Sequence, residues 1–130
     1  MTDDVGKVTM AYNPDTDGDP DPGEVIWTWV PYEDDPTRGK DRPVLLVARA
    51  YNTTFLGVQL SSQNHSDDPE WVAVGSGGWD SGNRDSWADL TRVLRVHAAG
   101  MRREGAALAR DQYDDVAAAL RERYGWKLRT

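Results

Sequence analysis

Residues 24–30 read Glu-Val-Ile-Trp-Thr-Trp-Val, and successive side chains of this run would lie on opposite faces of an extended chain. β-Branched and aromatic residues occupy both faces, which is typical of a strand that is covered on both sides. Pro31 ends the run, because proline cannot donate a hydrogen bond to a strand ladder. The segment therefore predicts the first strand of a small β-sheet protein.

Further stretches of strand length follow at short intervals. They are residues 43–51, 55–62, 70–74 and 87–96. The turn residues Asn52 and Thr53 separate the first two, so these two are expected to form a hairpin. A Gly/Ser-rich loop is expected at residues 75–84. Short strands at this spacing predict a small closed barrel, in a fold of the α+β class that is mostly β.

The last quarter of the chain changes to helical periodicity. One or two helical turns are expected within residues 100–108. A longer helix is expected from Asp111, with Asp114 in a capping-box role, to a stop at Gly125. One apolar stripe runs along it, formed by Tyr113, Val116, Ala117, Leu120 and Tyr124. This stripe is expected to pack against the barrel.

The chain has 130 residues, which is the size of a single domain. Its acidity is concentrated at the start. Residues 1–35 carry ten acidic side chains and one Lys, a net charge of −9, whereas residues 36–130 carry twelve acids and fourteen bases, a net charge of +2. Residues 1–22 are rich in Asp, Pro and Gly, which predicts a flexible acidic arm. Residues 23–130 are expected to form the single barrel domain.

Several classes of protein are disfavoured by what the sequence lacks. There is no cysteine, and therefore no disulfide framework and no thiolate nucleophile. His65 and His97 lack the spacing of metal ligands, and no glycine-rich phosphate loop is present, so neither a metal nor a cofactor is expected. No secretory leader and no apolar run of about 20 residues is found, which predicts a cytoplasmic protein without a membrane segment.

Four short motifs in order resemble the PemK/MazF family of toxins. Pro22-Gly-Glu-Val-Ile-Trp27 is similar to the first strand of that family, and Gly39-x-x-Arg42-Pro43-Val-Leu-Leu-Val47 is similar to its Arg-Pro-apolar second strand. Val58-Gln-Leu60-Ser61-Ser62-Gln63 is similar to an apolar-Thr-Ser/Ala-Gln strand end. Residues 85–96 resemble a later strand of the family. The likeness covers about residues 22–125.

The resemblance implies an SH3-like barrel of the MazF/CcdB type with a C-terminal helix. It also implies a homodimer that cuts single-stranded RNA without a metal and is neutralised by a cognate antitoxin protein. Arg42 matches the catalytic arginine of the family, and Ser61 matches its catalytic threonine. Neighbouring polar residues would hold the flanking phosphates and bases: Arg38, Lys40, Ser62 and Gln63.

The sequence departs from the family pattern in ways that leave an alternative open. Threonine is replaced by Ser61, and a catalytic Arg-Asp pair of some relatives has no counterpart, since Asp89 and Thr91 stand near its place. The alternative is an inactive barrel that binds only protein, either an antitoxin or a gyrase-type target. For the gyrase-type target, an exposed aromatic tail is expected at residues 124–126 beside the C-terminal helix. The acidic arm is expected to mimic RNA and to compete for the basic loop.

Overall fold

A computed structural model describes residues 8–12, 21–51 and 54–129. Its strands, in chain order, are β1 (Thr9–Ala11), β2 (Glu24–Pro31), β3 (Gly39–Tyr51), β4 (Thr54–Ser61), β5 (Trp71–Gly75), β6 (Ser86–Asp89), β7 (Leu94–His97), β8 (Arg102–Ala107) and β9 (Lys127–Arg129). A 3₁₀ turn lies at Ala98–Gly100, and an α-helix, α1, spans Arg110–Tyr124.

Seven of the strands form one antiparallel sheet that curves into a half-barrel. Its order is β5-β6-β4-β3-β2-β8, and β7 pairs with the same edge of β4 as β6 does. The long central strand β3 pairs with β2 on one edge and with β4 on the other, with Leu45 opposite both Val25 and Val58. The mostly-β class with a C-terminal helix is confirmed.

The main core lies between the sheet and α1. The helix contributes the four buried residues that were expected from its stripe: Tyr113, Val116, Ala117 and Leu120. A smaller apolar cluster, which includes Ile26, Val44 and Phe55, fills the opposite side of the sheet. β2, β3 and β4 are therefore covered on both faces over most of their length, as the composition of residues 24–30 predicts, but Trp29 of β2 is 51% exposed.

A bulge in β3 ties the helix to the sheet. The β3–β4 register shifts between Leu46 and Ala48, so Val47 is left without a partner in that ladder. The hydroxyl of Tyr113 donates a hydrogen bond of 2.7 Å to the carbonyl oxygen of Val47. A buried carbonyl without a partner is costly, so this bond satisfies a group that the bulge exposes.

Two expectations about secondary structure between residues 87 and 108 were wrong. The single strand at residues 87–96 is split into β6 and β7, because the carboxylate of Asp89 accepts hydrogen bonds from the backbone N–H and hydroxyl of Thr91, at 2.9 and 2.6 Å, and turns the chain. The helical turns expected at residues 100–108 are instead the 3₁₀ turn and β8. Strand β8 pairs with the free edge of β2, and the need to cover that edge overrides local helical preference.

Both chain ends depart from the predicted arm and tail. Residues 8–12 are not part of a flexible arm: Val8 and Met10 are buried, and β1 pairs in parallel with β9. Residues 1–7 and 13–20 lie outside the described residues. Trp126 is only 3% exposed, and its ring stacks on that of Tyr124 with 5.1 Å between centroids. The prediction of an exposed aromatic tail was therefore wrong.

The start of α1 also differs from expectation, whereas its end does not. Ala109 is the N-cap and provides no side-chain cap, and Asp114 pairs with Arg110 at 3.2 Å instead of forming a capping box. The helix ends at Gly125, which adopts a left-handed conformation with φ of 75°. Glycine reaches this conformation without the steric cost that a side chain would add.

Replacing Tyr113 by Phe is expected to lower the free energy of unfolding by about 1–2 kcal/mol, because the Val47 carbonyl loses its buried donor. Urea denaturation followed by tryptophan fluorescence measures this change. Tyr32→Phe is the matched control, since the Tyr32 hydroxyl makes no hydrogen bond within the described residues. Equal stability of the two variants would show that the bond between Tyr113 and Val47 contributes nothing.

Candidate active site

The start of β3 and the end of β4 bring the predicted catalytic residues together. The β3–β4 register pairs Val44 with Gln59, and the same register continued by two residues places Arg42 opposite Ser61. Beyond Gln59 the other edge of β4 pairs with β6, so that Ser61 stands opposite Trp87. The two residues therefore lie where β4 stands between β3 and β6.

Strand β3 begins four residues earlier than the sequence predicts, and Gly39 explains why. A Cβ atom at Gly39 would lie 2.4 Å from the Val30 carbonyl oxygen and 2.6 Å from the Trp29 ring. Only glycine allows β2 and β3 to approach this closely. As a result Lys40 and Arg42 belong to a strand with fixed register instead of a loop.

A cavity of about 340 Å³ opens between these strands and the segment that precedes β6. Five of the six residues predicted to act on RNA line it: Lys40, Arg42, Ser61, Ser62 and Gln63. Arg38 does not line it. Arg38 is exposed in the β2–β3 loop, where its carbonyl oxygen accepts a hydrogen bond from the backbone N–H of Tyr32 at 2.8 Å.

Two tryptophans, Trp27 of β2 and Trp79 of the segment before β6, form part of the cavity wall. The indole N–H of Trp27 donates to the carbonyl oxygen of Trp79 at 2.9 Å, and the indole N–H of Trp79 donates to the hydroxyl of Ser86 at 3.2 Å. Trp79 and Ser86 are both buried. The Gly/Ser-rich loop that the sequence predicts is therefore anchored at the cavity.

An ion pair between Asp80 and Arg84, which the sequence does not indicate, completes this wall. The Asp80 carboxylate accepts hydrogen bonds from Nη2, Nε and the backbone N–H of Arg84, at 2.8, 3.1 and 2.8 Å. These bonds, first those of the side chain, hold the pKa of Asp80 at about 2 instead of 3.8. No sequence signal marks the pair, because the spacing of four residues carries meaning only on a helix.

The cavity has two cations that no acid among the described residues neutralises. Asp41 pairs with Arg102 at 2.9 Å, and Asp80 pairs with Arg84 at 2.8 Å. Within the described ranges, neither Lys40 nor Arg42 makes a side-chain hydrogen bond or an ion pair. The Arg42 side chain is half-buried, so its charge is less screened by solvent than that of an exposed residue.

Ser61 presents a hydroxyl with one donor available. Its oxygen accepts a hydrogen bond from the backbone N–H of Gln63 at 3.2 Å. The O–H itself has no acceptor among the described residues and can donate to a ligand. A cationic guanidinium and a hydroxyl donor in one cavity suit an anionic oxygen, such as that of a phosphate group.

Asp80→Asn is expected to remove an acid-sensitive part of the stability. The Asp80 pKa is lowered in the folded chain, so its contribution is complete above about pH 5, where the carboxyl is charged in both states. The contribution is lost as pH falls toward 2. The decrease in the urea midpoint from pH 6 to pH 3 is therefore larger for the wild type than for Asp80→Asn. Asp85→Asn, an exposed acid without a partner within the described residues, is the control, and an equal fall in Asp80→Asn and the wild type would contradict the assignment.

The overall fold is similar to those of toxin–antitoxin structures. A mycobacterial endoribonuclease, solved in complex with its cognate antitoxin, matches with a TM-score of 0.61 and 16% sequence identity, over 84% of this chain and 96% of the other. The MazE–MazF complex from Deinococcus radiodurans matches with a TM-score of 0.61 and 16% identity, over 83% of this chain and 98% of the other. These likenesses show the fold.

Family membership rests on the sequence. The model of the PemK-like, MazF-like toxins of type II toxin–antitoxin systems matches residues 21–123. The chain therefore belongs to this family. No curated protein sequence matches the chain significantly. Within the described residues, no helix is long and apolar enough to cross a membrane, and no three His, Asp or Glu side chains converge to hold a metal ion.

Proposed function

We propose that this chain is a toxin that cuts single-stranded RNA in the cytoplasm as a metal-independent endoribonuclease. The observation that carries the proposal is the cavity in which the guanidinium of Arg42, which has no ion pair within the described residues, and the hydroxyl of Ser61 stand together. Family membership supports it, because PemK-like and MazF-like toxins act in type II toxin–antitoxin systems.

In the proposed reaction the 2′-hydroxyl of the RNA attacks the adjacent phosphorus. The bond from phosphorus to the 5′-oxygen breaks, the 2′-hydroxyl loses its proton, and the departing 5′-oxygen gains one. The phosphorane between these steps carries more negative charge than the diester. A guanidinium placed before the reaction stabilises that charge most, because nothing has to reorganise as the charge develops.

Arg42 stabilises the phosphorane as a permanent cation and does not transfer a proton, since arginine keeps its proton at physiological pH. Ser61 donates its O–H to a phosphate oxygen and so orients the group under attack. Lys40, Ser62 and Gln63 hold the adjoining parts of the strand, as their places on the cavity wall allow.

The proposed partners are a cognate antitoxin and a second copy of the chain. Both similar structures named above are complexes with an antitoxin, and the same kind of partner is proposed here. A homodimer agrees with the exposed apolar surface on β2, where the Trp29 side chain is 51% exposed beside a groove that Leu94 and Val96 also line. Large exposed apolar side chains of this kind commonly mark a contact surface.

Arg42→Ala is expected to lower the rate of RNA cleavage by about 10²–10³-fold, the usual cost of removing a group that stabilises a developing oxyanion. Ser61→Ala is expected to lower it by about tenfold, the loss of one hydrogen bond worth about 1.4 kcal/mol. Primer extension on RNA incubated with the purified proteins measures both effects, and growth after induction provides a second readout.

Arg121→Ala is the control, because Arg121 is exposed on α1 and does not line this cavity. All variants are first compared by circular dichroism and urea denaturation. If the wild type stops growth without cutting RNA, or if folded Arg42→Ala cuts as fast as the wild type, the endoribonuclease proposal fails. A protein target would then be the better account.

A further inference from the structure

A second cavity adjoins the first across the side chain of Arg42. Its volume is about 290 Å³, and Arg42 lines both cavities. β4 runs past both of them: Ser61 lines the first and Gln59, two residues earlier on the same face of the strand, lines the second. A strand of RNA with its scissile phosphate on Arg42 would therefore have a cavity on each side of that phosphate.

The second cavity contains polar groups that no described residue satisfies. Arg92 is a half-buried residue there, and its guanidinium has no hydrogen bond or ion pair within the described ranges. Glu33 and Asp34 line the same cavity, and their carboxylates likewise lack a partner in the described part of the chain. Gln59 donates to Asp89 at 3.1 Å, which leaves its own carbonyl oxygen as an acceptor.

The loop that carries the two acids is held in place by its own hydrogen bonds. The backbone N–H of Tyr32 donates to the Arg38 carbonyl oxygen at 2.8 Å, which closes the loop. The Asp35 carboxylate accepts from the Thr37 hydroxyl at 2.6 Å. Glu33 and Asp34, both exposed, thus project from a closed turn, and a loop backbone that is already ordered loses less entropy when a ligand binds.

We infer that the second cavity is a nucleotide subsite in which Arg92 binds a phosphate and the Glu33–Asp34 pair selects a base that carries an exocyclic amino group. This inference rests on the proposed endoribonuclease function. Cytosine, adenine and guanine each present an amino group that a carboxylate can accept from. Uracil presents a carbonyl oxygen in the place of the cytosine amino group, and that oxygen faces the carboxylates as a second acceptor.

The balance of charge in the cavity supports the division of roles. Arg42 and Arg92 offer donors to phosphate, and Glu33 and Asp34 offer acceptors to a base edge. The half-buried ring of Tyr32 on the same wall provides a surface on which a base can stack. Single-stranded RNA exposes its base edges and its phosphates together, and this mixed lining fits it better than it fits an anion alone.

Base selection is tested with pairs of RNA substrates, and the two members of a pair differ only in having cytosine or uracil at one nucleotide. One pair varies the nucleotide on the 5′ side of the mapped cleavage site, and a second pair varies the nucleotide on its 3′ side. Wild type is expected to prefer cytosine on one side by about tenfold in kcat/KM, within the range of a good carboxylate contact to a base. The double variant Glu33→Ala/Asp34→Ala is expected to bring that ratio close to one. Equal cleavage of both bases on both sides by the wild type, or an unchanged ratio in the double variant, overturns the inference.

Phosphate binding is tested with an uncleavable RNA whose attacking hydroxyl is 2′-O-methylated. Arg92→Ala is expected to weaken binding several-fold and to reduce the slope of log K against log salt by about 0.7, the value for one phosphate contact to a single strand. Arg121→Ala removes the same charge from α1 and is the control. If the two variants give the same affinity and the same slope, Arg92 does not bind phosphate and the inference is overturned.

The two proposals fail in different ways. If the wild type cuts RNA and Arg42→Ala does not, while Arg92→Ala and the double variant behave like the wild type, the endoribonuclease function stands and only the second subsite is wrong. If the wild type neither binds nor cuts RNA, the function itself is wrong and the subsite falls with it.

Discussion

The pairing of β3 at both of its edges is the constraint on which the rest of the structure depends. One edge is in register with β2 and the other with β4, and the two registers together set where Arg42 stands relative to Ser61. Gly39 lets the first ladder extend to the start of β3, because β2 passes too close for any side chain there. The bulge at Val47 then gives the helix its attachment through the hydroxyl of Tyr113. A shift of one residue in either ladder would turn Arg42 to the other face of the sheet.

The electrostatics of the site differ from those of the whole chain. The formal net charge is −7, which by itself argues against a polyanionic ligand. At the first cavity, however, each acid already has a cation: Asp41 has Arg102 and Asp80 has Arg84. The charges of Arg42 and Lys40 remain unneutralised by the described residues. The local arrangement of charge decides what a cavity attracts, because salt largely screens charges that are more than about 8–10 Å away.

Much of the fold could be predicted because its signals are local. Alternation along residues 24–30, the apolar stripe of α1 and the stop at Gly125 each depend on neighbours in sequence, and the structure contains all three. The errors occurred where a distant segment decided the outcome. β8 is a strand because β2 offers it an edge, and Trp126 is buried because the folded core covers it. Local preference gives way where tertiary contacts are strong.

By itself the sequence determined the class of fold, the family and five polar residues that line the first cavity, since strand period, turn chemistry and short motifs are properties of contiguous residues. Tertiary structure alone decided which of those residues meet. It placed Arg38 away from the cavity, added Arg84 to its wall, and opened a second cavity on the far side of Arg42. Arg92 lies fifty residues from Arg42 in the chain, and nothing in the intervening sequence indicates that they line one cavity. The physical reason is that strand pairing acts across long separations, whereas sequence patterns report only on near neighbours.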